Sequence, residues 1–253
     1  MRVVVTTSTI PTREEAVVEM IHSIKTGTYI PDEIYVNLPK WYPRFRRSPD
    51  PNLKQKLESL GVKVSECDDY GVLTKSLPIL DVETDPETLI IIIDDDMIYQ
   101  PRVIEGLVKA YEEFKCPVGY SGLAYPETVL RMFGKFGYRL FQGHGAHAEM
   151  MECAFGYAFP RKAMDGFWKF PPMKEDSERW VYLSDDYLYS KHFERMGLPK
   201  RVACYPWAGR VGDDWSTIWT QKQSSQTHAL SRDENNLENF FRAGLKLKLI
   251  NPT

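Results

Sequence analysis

The chain has 253 residues, 43% hydrophobic and 26% charged, values that exclude wholesale disorder and suit one domain of generous size. Its 32 Lys+Arg against 35 Asp+Glu leave a net charge of -3, which predicts no dominant surface for nucleic acid. Four dispersed cysteines, Cys67, Cys116, Cys153 and Cys204, form no CxxC pair and read as reduced thiols, neither a disulfide framework nor a zinc site.

Met1-Arg2-Val3-Val4-Val5 is too short an apolar stretch for a signal peptide. No run approaches bilayer length, so the expectation is a soluble, cytoplasmic protein with no membrane span. Val3–Val5 read as a first strand opening into a polar loop, Thr6-Thr7-Ser8-Thr9. Pro11, Thr12, Glu14 and Glu15 are helix-start signals, and Ala16, Val17, Met20, Ile21 and Ile24 keep helical spacing to a stop at Gly27. Glu33–Leu38 is a second strand, the basic stretch 39–51 a surface loop, Leu53–Leu60 a short helix and Val62–Val64 a third strand. Asp68-Asp69-Tyr70-Gly71 form a turn, and Thr74–Leu80 is helical.

Leu89–Ile93 is the next strand, followed by a helix marked by Val103, Ile104, Leu107, Val108 and Tyr111. Strands alternating with helices predict an α/β fold with a mostly parallel sheet flanked by helices. Beyond about 120 the pattern loosens into shorter, aromatic-rich elements, a smaller C-terminal layer. One late helix starts at Ser184, with Leu188, Phe193 and Met196 facing inward.

The junction of Leu89–Ile93 with Asp94-Asp95-Asp96 is the most informative feature. A strand that apolar is buried on both faces, as in a parallel sheet. Three carboxylates cannot share that interior unpaired, so the strand must end where solvent or a cation meets them. In open α/β sheets that place is the crevice at the carboxyl ends of the strands, and hard oxygen donors suit Mg²⁺ or Mn²⁺. Solvated carboxylates at a polar strand end are the plainer alternative.

A strand ending in these acids, preceded by a first loop of Thr-Ser-Thr-Ile-Pro-Thr-Arg, resembles the GT-A glycosyltransferases. Asp69-Tyr70-Gly71 with Lys75 is similar to the nucleotide-contacting loop of a family-2-like subgroup, and Ser184-Asp185-Asp186 to its acidic element at a helix start. The resemblance covers nearly the whole chain and implies a single catalytic domain over 1–253. Residues 1–115 would bind the nucleotide sugar, and 116–253 would supply the acceptor side and a C-terminal extension.

It further implies that Thr6, Thr7, Ser8 and Arg13 line the base and diphosphate pocket, that Asp69 and Tyr70 lie at the nucleoside, and that Lys75 meets phosphates or ribose. Asp94 would hold ribose or a metal-bound water, and Asp96 would ligate Mn²⁺ or Mg²⁺. Asp95, at the variable middle position beside the nucleotide, would serve only the fold. Asp186 would be the general base, with Asp185 orienting it; helix-dipole compensation is the plain reading of both. His228 would complete the metal shell, while His144 and His147 are better read as loop residues and His22 and His192 as structural. Glu152 and Gly156, within Glu152–Pro160, would floor the sugar site. Trp207, Trp215, Trp219, Asp213 and Asp214 either stack on sugars or pack the C-terminal layer.

The function implied is metal-dependent transfer of a sugar, with inversion, from a nucleotide-diphosphate donor (UDP-sugar first) to a glycan or other hydroxyl acceptor. Two rivals remain. A nucleotidyl- or phosphotransferase would carry a glycine-rich phosphate loop, and Thr6–Arg13 contains no glycine. A non-catalytic sugar-binding module would have little need of both acidic sites.

Overall fold

The computed structural model describes residues 1–124, 138–139, 143–167, 185–204 and 219–221. The first half alternates strands and helices: β1 (Val3–Ser8), α1 (Glu14–Lys25), β2 (Glu33–Pro39), α2 (Leu53–Ser59), β3 (Lys63–Cys67), α3 (Leu77–Val82), β4 (Leu89–Ile92), β5 (Met97–Tyr99) and α4 (Val103–Phe114). The described second half adds β6 (Val118–Gly119), β7 (Gly122–Ala124), β8 (Tyr138–Arg139), β9 (Met150–Met151), β10 (Tyr157–Pro160), α5 (Asp185–Arg195), β11 (Arg201–Val202) and β12 (Trp219–Gln221).

Seven strands form one sheet in the order β11-β6-β10-β4-β1-β2-β3. β3, β2, β1 and β4 pair in parallel, as does β11 with β6, while β10 runs antiparallel between β4 and β6. An all-parallel first half follows from the helical crossovers, since parallel neighbours cannot be joined by a tight turn. Two small antiparallel sheets, β8-β7-β9 and β12-β5, lie apart from it.

Alternation along the strands builds a core on each face. Val3, Val5, Leu89, Ile91 and Ile93 join one cluster with Val17, Met20, Ile21 and Ile24 of α1 and Leu107 of α4. Val4, Ile90 and Ile92 join the other with Tyr157, Phe159, Leu188, Tyr189 and Phe193. All four residues of β4 are fully buried, as its unbroken apolar run requires. Each such aliphatic side chain contributes roughly 1.5–3 kcal/mol by leaving water.

Several boundaries depart from the sequence reading. β1 continues through Thr6, Thr7 and Ser8, because β2 keeps pairing with it as far as Ser8↔Asn37. The expected helix 74–80 divides into a 3-10 turn over Gly71–Lys75 and α3. Met196 follows α5 and is 44% exposed, whereas Leu188 and Phe193 are buried. No described helix is long and apolar enough to cross a membrane.

Candidate active site

The acids lie where β1 and β4 end, and their three side chains take different partners. Asp95 turns inward. Its Oδ2 accepts from Thr9 Oγ1 at 2.7 Å and its Oδ1 from Arg13 Nη1 at 3.1 Å. Asp96 stands 3.3 Å from Arg13 Nη2. Asp94 turns toward Lys75, whose Nζ lies 2.5 Å from its Oδ1, and it keeps a quarter of its side chain exposed. Burial raises the Asp95 carboxyl to about 6, with Arg13 pulling the other way and the neighbouring acids adding to the rise. Burial opposes ionisation of Asp94 too, but Lys75 holds it below the usual carboxylate range.

The loop after β3 fixes Lys75. Asp69 Oδ1 accepts from Gly71 N at 2.8 Å and from Thr74 Oγ1 at 3.3 Å, an Asx turn that starts the 3-10 segment. Tyr70 donates its N–H to Thr74 Oγ1 and half-buries its ring against the second core cluster. Thr6 Oγ1 donates to Lys75 O at 2.7 Å and accepts from Asn37 Nδ2 at 3.0 Å. Thr6 and Thr7 are 0% and 1% exposed, so they brace the strand end from within, while Ser8 and Arg13 are partly exposed.

Lys75 also reaches the second acidic element. Its Nζ is 2.8 Å from Asp185 Oδ2, so one ammonium joins the acids after β4 to those opening α5. Burial alone would lower its pKa, but Asp185 and Asp94 carry it well above the usual lysine value. In this structure the partners of the ammonium are two carboxylates of the protein. Asp186 Oδ1 accepts the N–H of Cys153 at 2.7 Å. Burial, then the adjacent Asp185 charge, pushes the Asp186 carboxyl well above its ordinary value.

Cys153 was absent from the sequence-level site. Its ligand atom and those of Asp185 and Asp186 lie within 4.8 Å of one another. Burial, with the charges of Asp186 and Asp185 adding to it, raises the Cys153 thiol well above its usual range. No spacing signal could have found it, because its role comes from a backbone N–H. Thr9 was likewise read only as a loop residue. Glu152 accepts from Ser121 Oγ beside this cluster, and its N–H donates to Ser121 O at 3.0 Å. Gly156 turns the chain into β10 at φ +98°, where a Cβ would stand 2.9 Å from Leu107 Cδ1.

Among the described residues, no histidine is paired with this cluster. His192 is buried, its Nε2 2.9 Å from Ala163 O. His144 pairs with Glu113 at 2.9 Å, and the backbone of His147 forms an antiparallel bridge with that of Arg201. Ser184, Trp207, Asp213, Asp214, Trp215 and His228 lie outside the described residues, as does the side chain of Trp219.

No family model and no curated protein matches the chain. Solved structures do. S. aureus TarS in complex with UDP-GlcNAc matches over 100% of this chain and 68% of its own, at 13% identity and TM-score 0.61. Glucosyl-3-phosphoglycerate synthase from Mycobacterium tuberculosis, in complex with Mn²⁺, UDP and phosphoglyceric acid, matches over 100% of this chain and 80% of its own, at 15% identity and TM-score 0.60. The same synthase with Mg²⁺ and UDP aligns equally well, at TM-score 0.60. With its helix-flanked, mostly parallel sheet and acids at the ends of the central strands, the chain carries the fold of these structures, the GT-A fold.

Proposed function

We propose that the protein is a glycosyltransferase that uses a divalent cation to move a sugar from a nucleoside-diphosphate donor to a hydroxyl acceptor, with inversion. One observation carries the reading: a surplus of carboxylates at the strand ends. Among the described residues, Asp94, Asp95, Asp96 and Asp185 pair with Arg13 and Lys75, and Asp186 stands beside Asp185 with its carboxylate on the Cys153 amide. The ion pairs of these acids among the described residues are thus made by Arg13 and Lys75, fewer cations than carboxyl groups. A Mn²⁺ or Mg²⁺ ion would offset carboxylates gathered in this way, and its preference for carboxylate oxygen fits the donor set.

Asp96 and the partly exposed Asp94 would hold the ion, with His228 as a further ligand. Bound there, the cation supplies Lewis-acid stabilisation of the charge that develops on the leaving diphosphate. Thr9 and Arg13 hold Asp95 and, with it, the loop that presents the two ligands. Arg13, Asp69 and Tyr70 border the nucleotide, and Glu152 and Gly156 the sugar.

Asp186 takes the proton of the acceptor hydroxyl; a carboxylate whose pKa lies well above its usual value is a correspondingly stronger base. The acceptor oxygen bonds to the anomeric carbon as the bond to the diphosphate oxygen breaks, and that oxygen keeps the electron pair. UDP is the favoured nucleotide because both structural neighbours were solved with UDP or a UDP-sugar.

The test is a panel of nucleotide sugars incubated with Mn²⁺, with and without candidate acceptors. Release of sugar or glycoside supports the transferase. Pyrophosphate would point to nucleotidyl transfer, and no product at all to a binding module. Asp96→Ala should abolish metal-dependent donor binding; unchanged donor affinity in that variant overturns the metal assignment.

A further inference from the structure

A second constellation lies along α5, outside the acids. Lys200 is 3% exposed, and its ammonium donates to Ser190 O at 3.3 Å. An ammonium has three donors, and that carbonyl occupies one of them. Lys200 forms no ion pair among the described residues. Its backbone is fixed, since Lys200 O accepts from Ala148 N at 3.0 Å and β11 begins at the next residue. A buried cation without a counter-ion is costly, and folds rarely keep one that packing does not need. Its surroundings give it a use.

Lys200 lines a cavity of about 510 Å³, within the size range of small-molecule sites. Tyr187, Ser190, Lys191 and Glu194 form one helical face of α5 along its wall. Lys191 and Glu194 neutralise each other at 3.0 Å. Glu149 and His147 also border the cavity but are exposed to solvent. The buried charge left uncompensated inside is therefore positive. Burial lowers the pKa of Lys200, with Glu194 and Glu149 opposing the fall and Lys191 adding to it, so a bound anion would favour its charged form.

We propose that this cavity is an anion site, with Lys200 as its cationic floor holding a carboxylate or phosphate group. Tyr187 follows Asp186 directly, so the cavity wall and the base belong to the same turn of α5. On the transferase reading, which this part of the inference rests on, the anion belongs to the acceptor: the enzyme glycosylates an acidic molecule.

The decisive variant is Lys200→Met, which keeps the side chain's length and removes its charge. Thermal melting in EDTA, with inorganic phosphate in one arm and malonate in the other, reads the site apart from any metal-held donor. The wild type should be stabilised by at least one probe. Lys200→Met should need about tenfold more of it, or more. Without anion the variant should melt no lower than the wild type, because an unpaired buried charge has gone. Lys200→Arg should respond as the wild type does.

Donor hydrolysis should be unchanged in Lys200→Met, while KM for a phosphorylated or carboxylated acceptor rises about tenfold at constant kcat. A wild type indifferent to both probes overturns the proposal. So does a Lys200→Met protein that melts lower yet binds anion normally, which would make the lysine purely structural. Anion binding without turnover of any nucleotide sugar would sink the transferase reading and leave the site standing; donor turnover without anion binding does the reverse.

Discussion

Lys75 Nζ stands 2.8 Å from Asp185 Oδ2, tying the turn before α3 to the first residue of α5. The same ammonium holds Asp94, so the two acidic elements share a single cation. Lys75→Met would leave buried Asp185 and partly exposed Asp94 without it. The expected loss is about 3–5 kcal/mol of folding stability, with Lys75→Arg recovering most of it. Urea denaturation of the three proteins checks this; a methionine variant as stable as the wild type would mean that the acids tolerate each other unaided.

Asp95→Asn separates the middle acid from its neighbours. It removes the charge that meets Arg13 and weakens the bond from Thr9, for a cost of about 1.5–3 kcal/mol. Donor affinity at saturating Mn²⁺ should stay within about threefold. Titration calorimetry on the folded variant reads the second quantity. A collapse of donor binding would move Asp95 from supporting the loop to holding the ligand.

Asp186→Asn should keep donor binding and lower turnover by about 10²–10⁴-fold. Because burial and Asp185 raise its pKa, the wild-type rate should climb with pH as Asp186 loses its proton, and the variant's residual rate should lack that limb. A pH–rate profile of both proteins decides the matter. An unchanged limb would place the base on another group.

His192 gives stability a pH dependence of definite sign. Its neutral ring donates from Nε2 to Ala163 O and accepts from Arg195 Nη2 at Nδ1, 3.2 Å away, and burial lowers its pKa from 6.5. Below 6.5 the unfolded chain takes up a proton that the folded chain refuses. The histidine's contribution is therefore full above that pH and shrinks as pH falls, by at most about 1.4 kcal/mol per pH unit for one proton. In His192→Gln this slope should vanish. Parallel stability curves for the two proteins between pH 7 and 5 would assign the proton elsewhere.

The sequence announced what repeats or accumulates. An unbroken apolar run before three acids fixed the position of β4, and 3.6-residue spacing marked α1 and α4. It was silent on direction. That Asp95 points inward and Asp94 toward a lysine depends on the turn after β4, where neither period applies. Lys75 and Asp185 meet only because Thr6 and the Asx turn at Asp69 hold one chain segment across another. Thr74–Leu80 looked continuous because apolar spacing does not distinguish a 3-10 turn followed by a helix from a single helix. Cys153 acts through its amide, which every residue but proline possesses.

The placement of β10 bears on how the gene could be cut. A strand from beyond residue 150 lies between β4 and β6 and reverses the grain of an otherwise parallel sheet. A fragment ending at residue 115 would bare the fully apolar flank of β4 as an open edge, inviting self-association. The pieces on either side of that cut should thus be insoluble when expressed alone and recover native structure only when produced together.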